Sequence, residues 1–146
     1  MAMYLQNISQ VGAGAEAAGF FASMTTMILV FGIIGIALYV YSAIVLMTIA
    51  KKTKTEPAWL AWIPIANLYL FGKIPKQENL GIALIVLSVL SIIPIIGALT
   101  GIASLVIMIY LWCKIAVIRG KPEWWGFLMI IPIVNLVIMG ILAWSD

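Results

Sequence analysis

Long stretches of this chain carry no charge at all. Between the charged residues lie four uncharged runs, 17–50, 57–72, 79–113 and 124–145, holding 34, 16, 35 and 22 residues. A helix rises ~1.5 Å per residue and the hydrocarbon core of a bilayer is ~30 Å thick, so about 20 apolar residues make one span. The first and last runs have room for one ordinary span apiece. The second, ~24 Å long as a helix, is too short to cross comfortably, and the third, at ~52 Å, overruns a single span. Bends are therefore expected inside them.

Three prolines mark where. Pro64, Pro94 and Pro132 stand near the middle of the last three runs, and proline both removes a backbone donor and clashes with the preceding turn. Each sits in the same words: Ile63-Pro64-Ile65, Ile93-Pro94-Ile95 and Ile131-Pro132-Ile133. Asn67 and Asn135 follow two of the breaks, and Gly97 stands near that place in the other. Before the runs come Lys54 with Glu56, Lys76 with Glu78, and Lys121 with Glu123. Pro57-Ala58-Trp59 matches Pro122-Glu123-Trp124, and Tyr69-Leu70-Phe71-Gly72-Lys73-Ile74 matches Tyr110-Leu111-Trp112-Cys113-Lys114-Ile115.

The coincidences read as a three-fold internal repeat. Its units are 54–74, 76–115 and 121–145, preceded by an outward N-terminal segment (1–19) and a first span (20–50), all within one membrane domain, 1–146. If each proline reverses the chain, the clusters Lys51 to Lys54, Lys73 with Lys76, and Lys114 to Lys121 share one face, as the positive-inside bias prefers. Four single spans satisfy that bias less fully, leaving Lys73 and Lys76 outside. The expected fold is an all-α polytopic integral membrane protein, with one full N-terminal span followed by proline-broken helical hairpins or broken spans.

Composition narrows the chemistry. Apolar residues make up 65% of the chain and charged ones 9%, with a mean hydropathy of +1.21. A soluble domain carries about 25% charged residues, so soluble enzyme classes are excluded. The net charge of +3 is too scattered for a nucleic-acid surface. The first 15 residues hold no Lys or Arg, so no cleaved signal is expected. The N-terminus should face outward at the cell membrane, with the basic loops cytoplasmic. The single Cys113 offers neither a disulfide nor a metal framework and reads as buried filler.

Candidates for catalysis are few. Membrane-embedded hydrolases need paired aspartates, a serine with a base, or histidine-held metal, whereas this chain has no histidine and one aspartate, Asp146. Ser42 lies ~14 Å of helical rise from Lys51 or Lys52, too far for a dyad. No enzyme activity, cofactor or metal is expected.

Other polar and small residues have structural readings. An asparagine side chain can supply donor and acceptor to backbone groups freed at Pro64 or Pro132, and such breaks are also how transporters present backbone to solutes. Trp59, Trp62, Trp112, Trp124, Trp125 and Trp144 fall near run ends, as an interfacial belt would. Ala15, Gly19 and Ser23 are spaced four apart, as are Gly97 and Gly101, a spacing that lets helices pack closely on another subunit or copy. Glu16, near the expected helix start, is favoured there by the helix dipole.

Lys-x-x-Pro-x-Trp-x-x-x-Ile-Pro-Ile-x-Asn over 54–67, with Gly-Lys-Pro-x-Trp-Trp and Ile-Pro-Ile-x-Asn over 120–135, resembles a family of small, uncharacterised prokaryotic multi-spanning membrane proteins. The likeness covers roughly residues 50–145. The middle unit departs from it at Gly97 and at Asn79-Leu80, which replaces the aromatic pair. The resemblance implies a prokaryotic membrane protein and supplies no activity. The expected role is a non-catalytic structural or accessory subunit of a larger membrane complex, whose partners are the lipid bilayer, other membrane subunits or further copies. The alternative is a small oligomeric channel or transporter using the proline-asparagine breaks.

Overall fold

No proline precedes Pro57, and nothing interrupts the first helix, α1, from Ala2 to Lys52. In this computed structural model, which describes residues 1–145, a short 3-10 helix (Ala58–Trp62) follows, then α2 (Ala66–Lys73), α3 (Glu78–Leu90), α4 (Pro94–Ile118), α5 (Trp125–Leu128) and α6 (Pro132–Trp144). The described residues are all-helical and contain no strand. Two helices, α1 and α4, are long and apolar enough to cross a membrane, with mean hydropathies of 2.5 and 2.2 over their most apolar windows.

Contacts divide the chain into two compact units, Met1–Tyr39 and a second from Val40 onward. The first unit is helical from Ala2, so segment 1–19 does not precede a helix that starts near residue 20. Glu16 consequently lies well inside α1, away from the N-terminal end where the helix dipole would favour it. Residues 1–38 are exposed, including Phe20, Ile28, Phe31 and Ile33. The hydroxyls of Ser9, Ser23, Thr25 and Thr26 turn back onto carbonyls of their own helix.

In the second unit, three helices end the same way. Beyond α1, α2 and α4, the residues Lys54, Lys76 and Gly120 take positive φ, at 55°, 60° and 72°. Their N–H groups donate to the carbonyls of Lys51, Lys73 and Val117 at 3.2, 2.9 and 2.9 Å. The next N–H groups, of Thr55, Gln77 and Lys121, reach back to Ala50, Gly72 and Ala116 at 2.8, 2.8 and 2.9 Å. This is the Schellman closure, which satisfies carbonyls that a helix end otherwise leaves open.

The three proline positions also share one geometry. Ile63, Ile93 and Ile131 are extended, with ψ of 118°, 115° and 114°, because the following proline ring disfavours helical backbone there. Their N–H groups donate to Leu60, Leu90 and Leu128, each at 3.1 Å. Their carbonyls accept from the main-chain N–H of Asn67, Gly97 and Asn135 at 2.8, 2.7 and 2.7 Å. Pro94 and Pro132 then open their helices at the position that needs no N–H donor. The closure expected of asparagine side chains is thus made by main chain. Gly97 can therefore stand where the other breaks have asparagine, and there an added Cβ would lie 2.9 Å from the Ser91 carbonyl oxygen.

The core of this unit gathers Val45 and Ile49 of α1, Leu70 of α2, Leu111 and Ile115 of α4, and Leu142 of α6, all fully buried. Those of α1, α2 and α4 lie in the halves of their helices that carry the lysines, and Leu142 lies at the end of α6 that Arg119 caps. By contrast, the apolar Pro94 turn is uncovered, with Ile95 88% exposed.

A glycine pair tests the helix-end reading. Gly120 has positive φ but open space around its Cβ position, so Gly120→Ala should lower stability by ~1 kcal/mol through backbone strain alone. Gly101 also faces open space but lies within α4, so Gly101→Ala should hold or raise stability by up to ~1 kcal/mol. Thermal unfolding of both variants in one detergent reads the opposite signs.

Candidate functional site

Two corners of the second unit are built alike. At the first, α2 crosses α3 where Gly72 meets Gly81, and a methyl on Gly72 would sit 2.5 Å from the Gly81 Cα. At the second, α4 crosses α5 where Cys113 meets Gly126, and a Cβ on Gly126 would overlap the Cys113 thiol and backbone. Gly72 and Cys113 hold the same place in the matched Tyr-Leu-aromatic strings, and Gly81 and Gly126 each follow a glutamate by one turn. Beside the first crossing, the Tyr69 hydroxyl donates to Glu78 Oε2 at 3.1 Å, and Lys73 lies 5.8 Å from the Tyr69 ring centre. Beside the second, Lys114 pairs with Glu123 Oε1 at 3.2 Å and lies 5.4 Å from the Tyr110 ring centre. Each corner therefore assembles a tyrosine, a lysine and a glutamate.

The corners are joined through their aromatics. Phe71 and Trp112, at the same place in the two strings, meet edge-on with ring centres 4.9 Å apart. Trp112 is consequently 7% exposed and belongs to the core, which corrects its assignment to the interfacial belt. Trp59, Trp62, Trp124 and Trp144 are exposed, whereas Trp125 is half-buried with Lys121 6.0 Å from its ring centre. Lys73 donates to the Glu56 carbonyl at 2.7 Å. Arg119 donates to the carbonyls of Leu142 and Ser145 at 2.7 and 2.5 Å, closing the end of α6 as a cationic cap.

Behind Phe71 and Trp112 lies a cavity of about 230 Å³. Asn67 and Asn135 both line it, with Ser42, Met108 and Met139. Asn135 also borders a neighbouring space of about 240 Å³ beside Met129 and Ile130. Among the described residues the Asn135 Oδ1 is buried without a hydrogen-bond partner. The two breaks thus bring their asparagines to one half-open space, where amides can offer donors and acceptors to a small solute or to water.

The small-residue stripes fall elsewhere. Gly19 and Gly101 have open space around them, and the Ser23 hydroxyl bonds Phe20 of its own helix, beyond Ala15 on the same exposed stretch. The close approaches inside the fold use Gly72, Gly81 and Gly126, together with Gly97 of the stripe against the Ser91 carbonyl, and of these the matched strings mark only Gly72. Cys113 is buried, one wall of such an approach. Among the described residues no three His, Cys, Asp or Glu side chains cluster as a metal site would need. No protein-family model, curated protein or solved structure matches this chain.

Two substitutions separate the roles. Gly72→Ala should destabilise by ~1–3 kcal/mol or more, because backbone stands where the methyl must go. Asn135→Leu should be neutral or stabilising, since it removes an acceptor that lacks a partner. Thermal unfolding distinguishes them, and a large loss for Asn135→Leu would show its amide bound in the native protein.

Proposed function

We propose that this chain is a multi-pass cell-membrane protein, in which one N-terminal span precedes three proline-broken units, and that it serves as a non-catalytic structural or accessory subunit of a larger membrane assembly. The observation carrying this reading is the placement of apolar surface: α1 up to Leu38 and the Pro94 turn expose isoleucine, phenylalanine and leucine to their surroundings. Exposed apolar area on that scale marks a surface meant for lipid or for other subunits. The shared Schellman ends and shared proline geometry support three copies of one unit, and the resemblance to prokaryotic multi-spanning proteins is in keeping with it. Lys51, Lys52, Lys54, Lys73, Lys76, Lys114, Arg119 and Lys121 then belong to the cytoplasmic side, at helix ends and in loops, with the N-terminus outside.

A second reading is a small oligomeric channel or transporter. The observation favouring it is the cavity that Asn67 and Asn135 share. Such a path needs further polar lining from other copies, whereas its present walls are mainly Leu46, Leu68, Phe71, Met108, Trp112 and Met139.

Native-size analysis after mild detergent extraction tests the first reading against the second: co-purifying foreign subunits are expected, and a closed homo-oligomer that carries solute in liposomes would replace the first by the second. Topology is tested with single cysteines at Lys52, Lys76 and Lys121 in a Cys113→Ala background. All three should resist an impermeant maleimide in intact cells while Gln6→Cys reacts. Labelling at 76 alone would establish four single spans instead.

A further inference from the structure

An open groove lies beside the second corner. Val106, Ile109 and Tyr110 recur at helical spacing along one face of α4, and with Trp124 and Phe127 around α5 they wall a groove of about 730 Å³. Cys113 lines it beside the crossing, where Gly126 lets α5 lie directly on α4. The lining is almost wholly apolar, and Val106, Trp124 and Phe127 are exposed along it. Glu123 is the charged residue in the wall, and its partner Lys114 stands one turn beyond Tyr110.

We propose that this groove binds one zwitterionic phospholipid with a primary amine in its headgroup. The inference rests on the membrane reading above, since only there does an acyl chain reach the groove. The chain lies against Val106, Ile109 and Phe127, and the headgroup sits at the corner, where charges of both signs stand 3.2 Å apart. Lys114 takes the phosphate, and the Glu123 carboxylate accepts from the ammonium N–H groups. Exchange of the Lys114–Glu123 pair for these contacts costs little, because the two side chains are 39% and 57% exposed and such pairs contribute weakly. A purely anionic head would meet Glu123 as a like charge. A choline head has no N–H to offer it. The exposed Trp124 indole sits at the mouth, as an aromatic at headgroup level would.

The first corner has the same three side-chain types, with Ile65 and Leu68 in the places of Val106 and Ile109, but Asn79 stands where the second corner has Trp124. It provides an internal comparison.

Native mass spectrometry of the whole chain in detergent, titrated with dioleoyl phosphatidylethanolamine, phosphatidylcholine or phosphatidylglycerol, tests the proposal. One phosphatidylethanolamine should bind about tenfold more tightly than either competitor, the worth of a charge-assisted hydrogen bond. Val106→Trp, which fills the groove from an exposed position, should abolish the adduct. Glu123→Gln should retain lipid but lose the preference for the amine, while Glu78→Gln at the first corner changes nothing. Equal binding of all three lipids, preference for phosphatidylglycerol or phosphatidylcholine, or an undiminished adduct on Val106→Trp would overturn the proposal. Retention in carbonate-washed membranes, measured on the same chain, reports separately on the membrane reading.

Discussion

Everything in the second unit depends on closing the main chain's hydrogen bonds wherever a helix ends or bends. An unsatisfied peptide group in apolar surroundings costs several kcal/mol, so a chain that bends there must carry its own partners. It does so with two devices, each used three times. At the helix ends a residue with positive φ folds two N–H groups back onto open carbonyls. At the prolines an extended isoleucine donates backwards and accepts from the fourth residue after it. Neither device requires a particular side chain beyond the proline itself. The lysines that tolerate the left-handed turn, and the glycine that replaces asparagine, follow from that freedom.

Much of this was legible in the sequence because the devices leave fixed words behind them. Ile-Pro-Ile marked all three interruptions, and the matched Tyr-Leu-aromatic strings marked two equivalent helix ends. The function of the words was less legible. Asparagine after proline suggested side-chain closure, yet the same position needs only its peptide N–H, and the amides are free to line a cavity. Trp112 was indistinguishable from belt tryptophans because its neighbours in sequence are a tyrosine and a lysine. What buries it is Phe71, far away along the chain. The extent of α1 was hidden for another reason. Charge counting locates apolar runs, but the mildly polar residues before Phe20 form helix as readily as they form a loop.

Polarity is organised by depth along the helices. Lysine, glutamate, tyrosine and arginine concentrate where helices end, and there they serve the backbone as well as one another: Lys73 and Arg119 both donate to carbonyls. Long side chains suit this position, since the stem lies on apolar surface while the head stays in water. The core is gathered near the same ends, so the best-packed part of the unit and its charged rim coincide. The Pro94 turn has neither, and its isoleucines lie exposed.

The two glycine crossings differ in how much chain separates their halves. Gly72 and Gly81 are joined by a short connection, Cys113 and Gly126 by one about a helical turn longer, yet both crossings carry the same tyrosine, lysine and glutamate. The partner of the glutamate differs, however: Glu78 accepts from the Tyr69 hydroxyl, whereas Glu123 meets Lys114. Both of these contacts span nine residues, although the lysine stands four places later relative to tyrosine in each string. The longer connection thus hands the carboxylate from a neutral hydroxyl to a cation, while Lys73 is left to the Glu56 carbonyl. Connection length at such a joint retunes which charges meet and leaves the glycine contact in place.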